Sequence, residues 1–184
     1  MQKINIVLCG LGGQGILFMT KVLARTALAK GLHVLGAETH GMAQRGGSVV
    51  SHLRFGDVNS SLVNAGECHH LLALEENEAC RNLPSLARGA QLYVNTASRR
   101  FPGNRVRYYL EGKKIRYRTV AAGKIALDRD APMAANLALV GFMSACAESP
   151  FSTADLRATI DAISPEKFKK TNFNVFDAGA AAAR

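Results

Sequence analysis

Six residues, Gly10-Leu11-Gly12-Gly13-Gln14-Gly15, follow directly on the apolar run 4–9 and precede a stretch with Ile16, Met19, Leu23 and Ala27 on one helical stripe. A short Ile/Val/Leu run reads as a strand buried on both faces. The glycines are too dense for either regular element, and the stripe predicts a helix over 16–30 with Gly31 as its stop. With a second strand expected over 32–37, the first 37 residues form a βαβ unit whose connecting turn satisfies G-x-G-x-x-G. Glycines there let the backbone approach an anion, and the free N–H groups of a helix start carry partial positive charge. Glu38 stands where a dinucleotide fold carries its ribose-binding acid.

The rest of the chain continues the alternation. Strands are expected over 49–55, 71–74 and 92–95, with a helix over 75–86 interrupted at Pro84. Residues 105–110 and 114–120 alternate in character around Glu111-Gly112-Lys113, which predicts a β-hairpin with a basic outer face. The last third reads as helical: a helix over 132–147 with Leu137, Val140, Gly141 and Ser144 on a close-packing side, and a second opened by a capping box at Ser152-Thr153-Ala154-Asp155. A final helix, opened by Ser164-Pro165, carries Phe168, Val175 and Phe176 and is expected to stop at Gly179. The fold class is therefore α/β: a Rossmann-like three-layer sandwich with a mostly parallel twisted sheet and a basic hairpin excursion. No repeat or linker divides residues 1–184, so one domain is expected.

Composition narrows the function. Of a net charge of +9, the segment 99–129 carries +8, ten Lys/Arg against Glu111 and Asp128, so any electropositive face belongs to that stretch. Cys9, Cys68, Cys80 and Cys146 are too far apart for a CxxC motif or a cluster edge, and read as reduced thiols. In Cys68-His69-His70 the adjacent histidines of a strand point to opposite faces, which argues against a shared ion. No stretch reaches the ~18 apolar residues of a membrane span and the N-terminus lacks a signal-peptide pattern, so a cytoplasmic protein is expected. A complete nicotinamide dehydrogenase would need a substrate domain for which 184 residues leave little room.

A second motif, His40-Gly41-Met42-Ala43-Gln44-Arg45-Gly46-Gly47-Ser48-Val49, begins 25 residues after the glycine loop. The pairing resembles the gamma-type domain of the 2-oxoacid:ferredoxin oxidoreductases, especially the small subunits of their indolepyruvate branch. Val94-Asn95-Thr96, Ala135-Asn136-Leu137 with Gly141, and the terminal helix with Asn172, Phe176 and Gly179 extend the similarity over nearly the whole chain. The resemblance implies oxidative decarboxylation of a 2-oxo acid, with acyl transfer to coenzyme A and electrons passed to ferredoxin. Thiamine diphosphate and the iron–sulfur clusters then belong to a large partner subunit. This chain is expected to hold neither thiamine diphosphate nor a cluster or other metal, to have no catalytic residue of its own and to be inactive alone.

Two groups of residues are expected to matter. Gly10, Gly12, Gly13, Gln14 and Gly15 are assigned to anion or partner contact, with coenzyme A as a ligand and Gln14 facing a neighbouring chain. His40, Gln44, Arg45, Gly46 and Gly47 are assigned to the interface or the cavity wall, where the Arg45 guanidinium offers forked donors to a carboxylate or phosphate. The rival reading is a small basic nucleic-acid- or dinucleotide-binding module in which Tyr108, Tyr109 and Tyr117 interleave with arginines. Self-association of the isolated chain through the partner surface is a further expectation.

Overall fold

The computed structural model describes residues 3–40, 46–98 and 100–183, with His40 described through its backbone. Six strands form one sheet: β1 (Ile4–Leu11), β2 (Val34–His40), β3 (Ser48–Phe55), β4 (Cys68–Ala73), β5 (Leu86–Asn95) and β6 (Arg116–Val120). Their order is β2-β3-β1-β4-β5-β6. β4, β5 and β6 extend from β1 in parallel. β3 is antiparallel to both of its neighbours, β1 and β2, so five of the six strands share one direction. The βαβ unit is present, but β3 returns between its two strands.

Helices cover both faces. Against one lie α1 (Ile16–Ala29), α4 (Ala122–Leu127), α5 (Ala135–Ser144), α6 (Thr153–Ile163) and α7 (Glu166–Ala181). Their contacts join Ile6, Leu8, Leu72 and Tyr93 of the sheet to Met19, Leu23, Leu137, Val140, Leu156 and Phe176 in one buried core. The other face packs Val7, Cys9, Leu71, Leu92 and Val94 against α2 (Glu76–Asn82) and α3 (Asn104–Gly112), through Ala79 and Leu110. β1, β4 and the C-terminal half of β5 are buried on both faces, which is why they read as continuous apolar runs rather than alternating ones.

Three expectations are corrected. The hairpin over 105–120 does not form: its first arm is α3, and its second is the edge strand β6, parallel to β5. Leu110 is fully buried, while Val106, four residues earlier, and Tyr109, three residues after Val106, share its face and pack against the second core, so the helical period prevails over the strand period. A parallel neighbour also requires a crossover, which the short turn expected at Glu111-Gly112-Lys113 does not provide. Gly179 does not end the last helix, which runs to Ala181. A methyl group there would collide with the Ala138 carbonyl of α5, and one at Gly141 with the Phe176 carbonyl of α7, so the two glycines set a backbone-to-backbone crossing. The helix expected to reach Leu86 stops at Asn82 and gives way to a 3-10 turn at Leu83–Ser85, beyond which Leu86 begins β5. By contrast, the capping box of α6 forms as expected, with the Ser152 side chain accepting from the Asp155 N–H and the Asp155 carboxylate accepting from the Ser152 N–H.

Candidate functional site

Ligands of open α/β sheets sit beyond the carboxyl ends of the strands, where successive connections leave in opposite directions. Here that point lies between β1 and β4, since the chain leaves β1 toward β2 and leaves β4 toward β5. The loop 10–15 therefore stands opposite the Leu74-Glu75 end of β4, as the glycine pattern requires.

The crevice is bridged by the protein's own side chains. The Gln14 side chain turns inward: its Oε1 accepts from the Leu11 N–H at 2.8 Å and its Nε2 donates to Glu75 Oε1 at 2.5 Å. A Cβ at Gly10 would strike Gln14 Oε1, which explains that glycine. Gly15, at φ +79°, leaves room for the Asn136 amide of α5, which donates to the Gly15 carbonyl at 3.2 Å. The Asn136 Oδ1 accepts from the Leu137 N–H. The loop is thus braced from β4 on one side and from α5 on the other.

The two glycine-bearing motifs meet. The Gly12 N–H donates to the Gly47 carbonyl at 2.8 Å and the Gly46 N–H donates to the Gly12 carbonyl at 3.3 Å. Just beyond, Ser48 Oγ donates to Glu78 Oε2 at 2.6 Å, and Arg81 Nη1 donates to the other carboxylate oxygen at 2.8 Å. Glu78 is only 2% exposed, so this pair of donors is what lets a carboxylate lie beneath the surface. It ties the start of β3, and with it the end of the second motif, to α2.

Of the expected contact residues, the structure brings Gly10, Gly12, Gly13, Gln14, Gly15, Gly46 and Gly47 together on this edge. The backbone of His40 pairs with Val49 at the end of β2. Gln44 and Arg45 lie outside the described residues. Glu38 is separated from β1 by the intervening β3, about 10 Å in sheet spacing, so it does not stand beside the glycine loop as a ribose-binding acid would. Sequence reasoning missed Glu75 and Glu78. Their signal was present, in carboxylates placed directly after an apolar strand and at the start of the following helix.

Two small hollows open on the edge. One of about 220 Å³ is lined by Gly13, Gln14, Leu74, Asn95, Gly123 and Met133. The other, about 420 Å³, has Glu75, Glu76, Asn95, Thr96 and Lys124 in its wall. Asn95 separates them and is held by its own hydrogen bonds, donating to the Leu74 carbonyl and accepting from the Gly123 N–H. Glu76 accepts from Thr96 Oγ1. The N–H groups of Gly13 and Gly15 have no partner among the described residues. The edge is therefore a mixed surface in which two backbone donors without a partner among the described residues stand beside a carboxylate pair.

Among the described residues no activated nucleophile lies nearby. Burial holds the Cys9 thiol far above its ordinary range, with Glu78 adding to the effect, and burial pushes Cys68 up to about 12. His69 accepts from the Asn5 N–H through Nδ1, whereas His70 stacks on Tyr93, so the two rings are engaged separately. Among the described residues no group of three or more His, Cys, Asp or Glu side chains is placed to hold a metal ion. No described helix is long and apolar enough to cross a membrane.

Fold and site together define a Rossmann-like α/β domain whose switch-point crevice is bridged from within. The sequence model of the family described as pyruvate ferredoxin/flavodoxin oxidoreductase matches residues 5–182. The chain belongs to this family, as a gamma-type subunit of a 2-oxoacid:ferredoxin oxidoreductase. It is 33% identical to the indolepyruvate oxidoreductase subunit IorB of Thermococcus kodakarensis, over 100% of this chain and 98% of that one. Against the subunit of the same name from Methanothermobacter thermautotrophicus it is 30% identical, over 97% of each. Among solved structures it resembles the pyruvate oxidoreductase subunit PORC of Thermotoga maritima, with a TM-score of 0.77 at 19% identity over 98% and 97% of the two chains. It also overlays on part of the 2-oxoglutarate:ferredoxin oxidoreductase of Magnetococcus marinus, solved with 2-oxoglutarate, coenzyme A and succinyl-CoA. That match has a TM-score of 0.78 at 16% identity and covers all of this chain and 31% of the larger one.

Proposed function

We propose that this chain is the small, non-catalytic subunit of a thiamine diphosphate-dependent indolepyruvate or aryl-pyruvate ferredoxin oxidoreductase. In this reading the carboxyl edge of its sheet completes the active-site cavity of a large subunit. Thiamine diphosphate and the iron–sulfur clusters, held by that partner, supply the decarboxylation and electron-transfer chemistry. This chain supplies shape and charge. The observation that carries the reading is the hydrogen-bonded union of the two motifs through Gly12, Gly46 and Gly47. It anchors the end of the segment bearing Gln44 and Arg45 to a loop that is itself braced by Glu75 and Asn136. An edge so built presents a preorganised surface, which reduces the ordering cost of association.

Arg45 then offers a forked pair of donors to a substrate carboxylate, a cofactor phosphate or a partner carboxylate. An Arg45→Ala variant is expected to assemble with the large subunit but to turn over its 2-oxo acid with a raised KM or a lowered kcat. Unchanged assembly together with unchanged turnover overturns the role.

Coenzyme A is a second ligand reading for the same loop, favoured by the N–H groups of Gly13 and Gly15 before the start of α1, which have no partner among the described residues. The adjacent Glu75 and Glu76 oppose a phosphate-bearing ligand, so contact with protein is the stronger reading. Calorimetric titration of the assembled complex with coenzyme A, repeated with Gly13→Val, separates the two: binding that the substitution abolishes supports the ligand reading. The nucleic-acid rival loses its ribbon because residues 104–112 are helical and β6 is a parallel edge strand, and two of its arginines, Arg116 and Arg118, pair with Glu148.

A further inference from the structure

A long groove of about 890 Å³ runs between α1 and α6 on the helical layer that buries the larger core, away from the hollows at the carboxyl edge. The two helices pair in opposite directions: Lys30 Nζ meets Asp155 Oδ2 at 2.8 Å, and Thr26 Oγ1 donates to Thr159 Oγ1 at 2.8 Å one turn further along α6. The Thr26–Thr159 pair is buried and forms the floor. Ala29, Ala158 and Ala162 line the groove with small side chains, which permits close approach of another backbone.

The walls are amphipathic. On α1, Lys21, Arg25 and Leu28 follow helical spacing, and Leu28 is 52% exposed. Lys30 neutralises Asp155, whereas Lys21 and Arg25 have no acidic partner among the described residues, so the groove keeps two free positive charges.

We propose that this groove seats an acidic amphipathic helix of the large partner subunit, its apolar face on Leu28 and the alanines and its carboxylates on Lys21 and Arg25. The inference rests on the subunit reading above and adds a second docking surface to it. Helix-in-groove recognition lays the apolar face of a helix in a groove, and here Leu28, Ile163 and the three alanines offer apolar contact at close approach while Lys21 and Arg25 fix the charge sign. A second copy of this chain is the poorer occupant, because a protein of net charge +9 brings predominantly positive charge to a positive groove.

The test uses the co-expressed complex and the free chain. A Lys21→Glu/Arg25→Glu double variant, checked for folding by circular dichroism, is expected to bind the large subunit at least tenfold more weakly in 50 mM salt. The wild-type affinity should fall with added salt, and that of the variant should respond less. Hydrogen–deuterium exchange should show residues 21–30 and 155–163 slowed in the complex relative to the free chain. If affinity stays within twofold and these segments exchange as before while residues 10–15 become protected, the groove proposal fails and the subunit reading stands. If neither surface is protected, both fail. Concentration-dependent protection of 21–30 in the free chain, with none added by the partner, assigns the groove to a second copy and also overturns the proposal.

Discussion

Gly141 and Gly179 show how much one missing side chain can decide. Each lies against a carbonyl of the opposing helix, so a methyl group at either position must push α5 and α7 apart. Gly141→Ala and Gly179→Ala are each expected to destabilise the fold by about 3 kcal/mol, the upper range for overpacking, measured as a lowered urea midpoint. His70 provides a pH signature. Burial lowers its pKa from 6.5 to about 4, so between these values the unfolded chain binds a proton that the folded chain refuses. The penalty from His70 is then absent well above pH 6.5, grows as pH drops and levels off below about pH 4. Burial also lowers His52 and His69, which add to the same slope. The His70 share is about 3 kcal/mol for a shift of this size. Urea titrations from pH 7.5 to 4 should show a shallower dependence for His70→Phe, which retains a ring against Tyr93. An undiminished slope removes the assignment.

At the scale of elements, legibility followed the number of signals per residue. The capping box of α6 is local: Ser152 and Asp155 close their reciprocal bonds within one turn, and reading it needs no tertiary information. Ser152→Ala is expected to lower stability by about 1 kcal/mol, read by thermal or urea unfolding. Segment 105–120 carried two periods at once. Val106, Tyr108 and Leu110 fit a strand, whereas Val106, Tyr109 and Leu110 fit a helix. The core beneath α3 selected the second set by burying Leu110 and leaving Tyr108 81% exposed. The order of β3 was likewise not legible, since its run of residues is compatible with either direction and only pairing with both β1 and β2 reveals it.

For the whole molecule, the sheet is shared by both helical layers, which couples their unfolding. We propose that residues 1–184 behave as a single cooperative unit, and urea unfolding followed by far-ultraviolet circular dichroism and by tyrosine fluorescence should give coincident transitions. Two separated transitions overturn that expectation. The charge distribution also bears on assembly. Part of the basic excess of segment 99–129 is spent within the chain, Arg116 and Arg118 on Glu148, so it does not form the uniformly free face that its composition suggests.

The amino-acid order by itself determined the βαβ opening, the three-layer class, the two glycine motifs and the family, because these depend on local spacing and on residue types that few backbones require. It did not reveal that Gln14 folds back onto Glu75, that Gly12 pairs with Gly46 and Gly47, or that β3 displaces Glu38 from the glycine loop. These are contacts between residues up to 61 positions apart. Only closing the sheet brings such groups within hydrogen-bond reach, so only the tertiary structure turned a nucleotide-like loop into an edge braced by its own side chains.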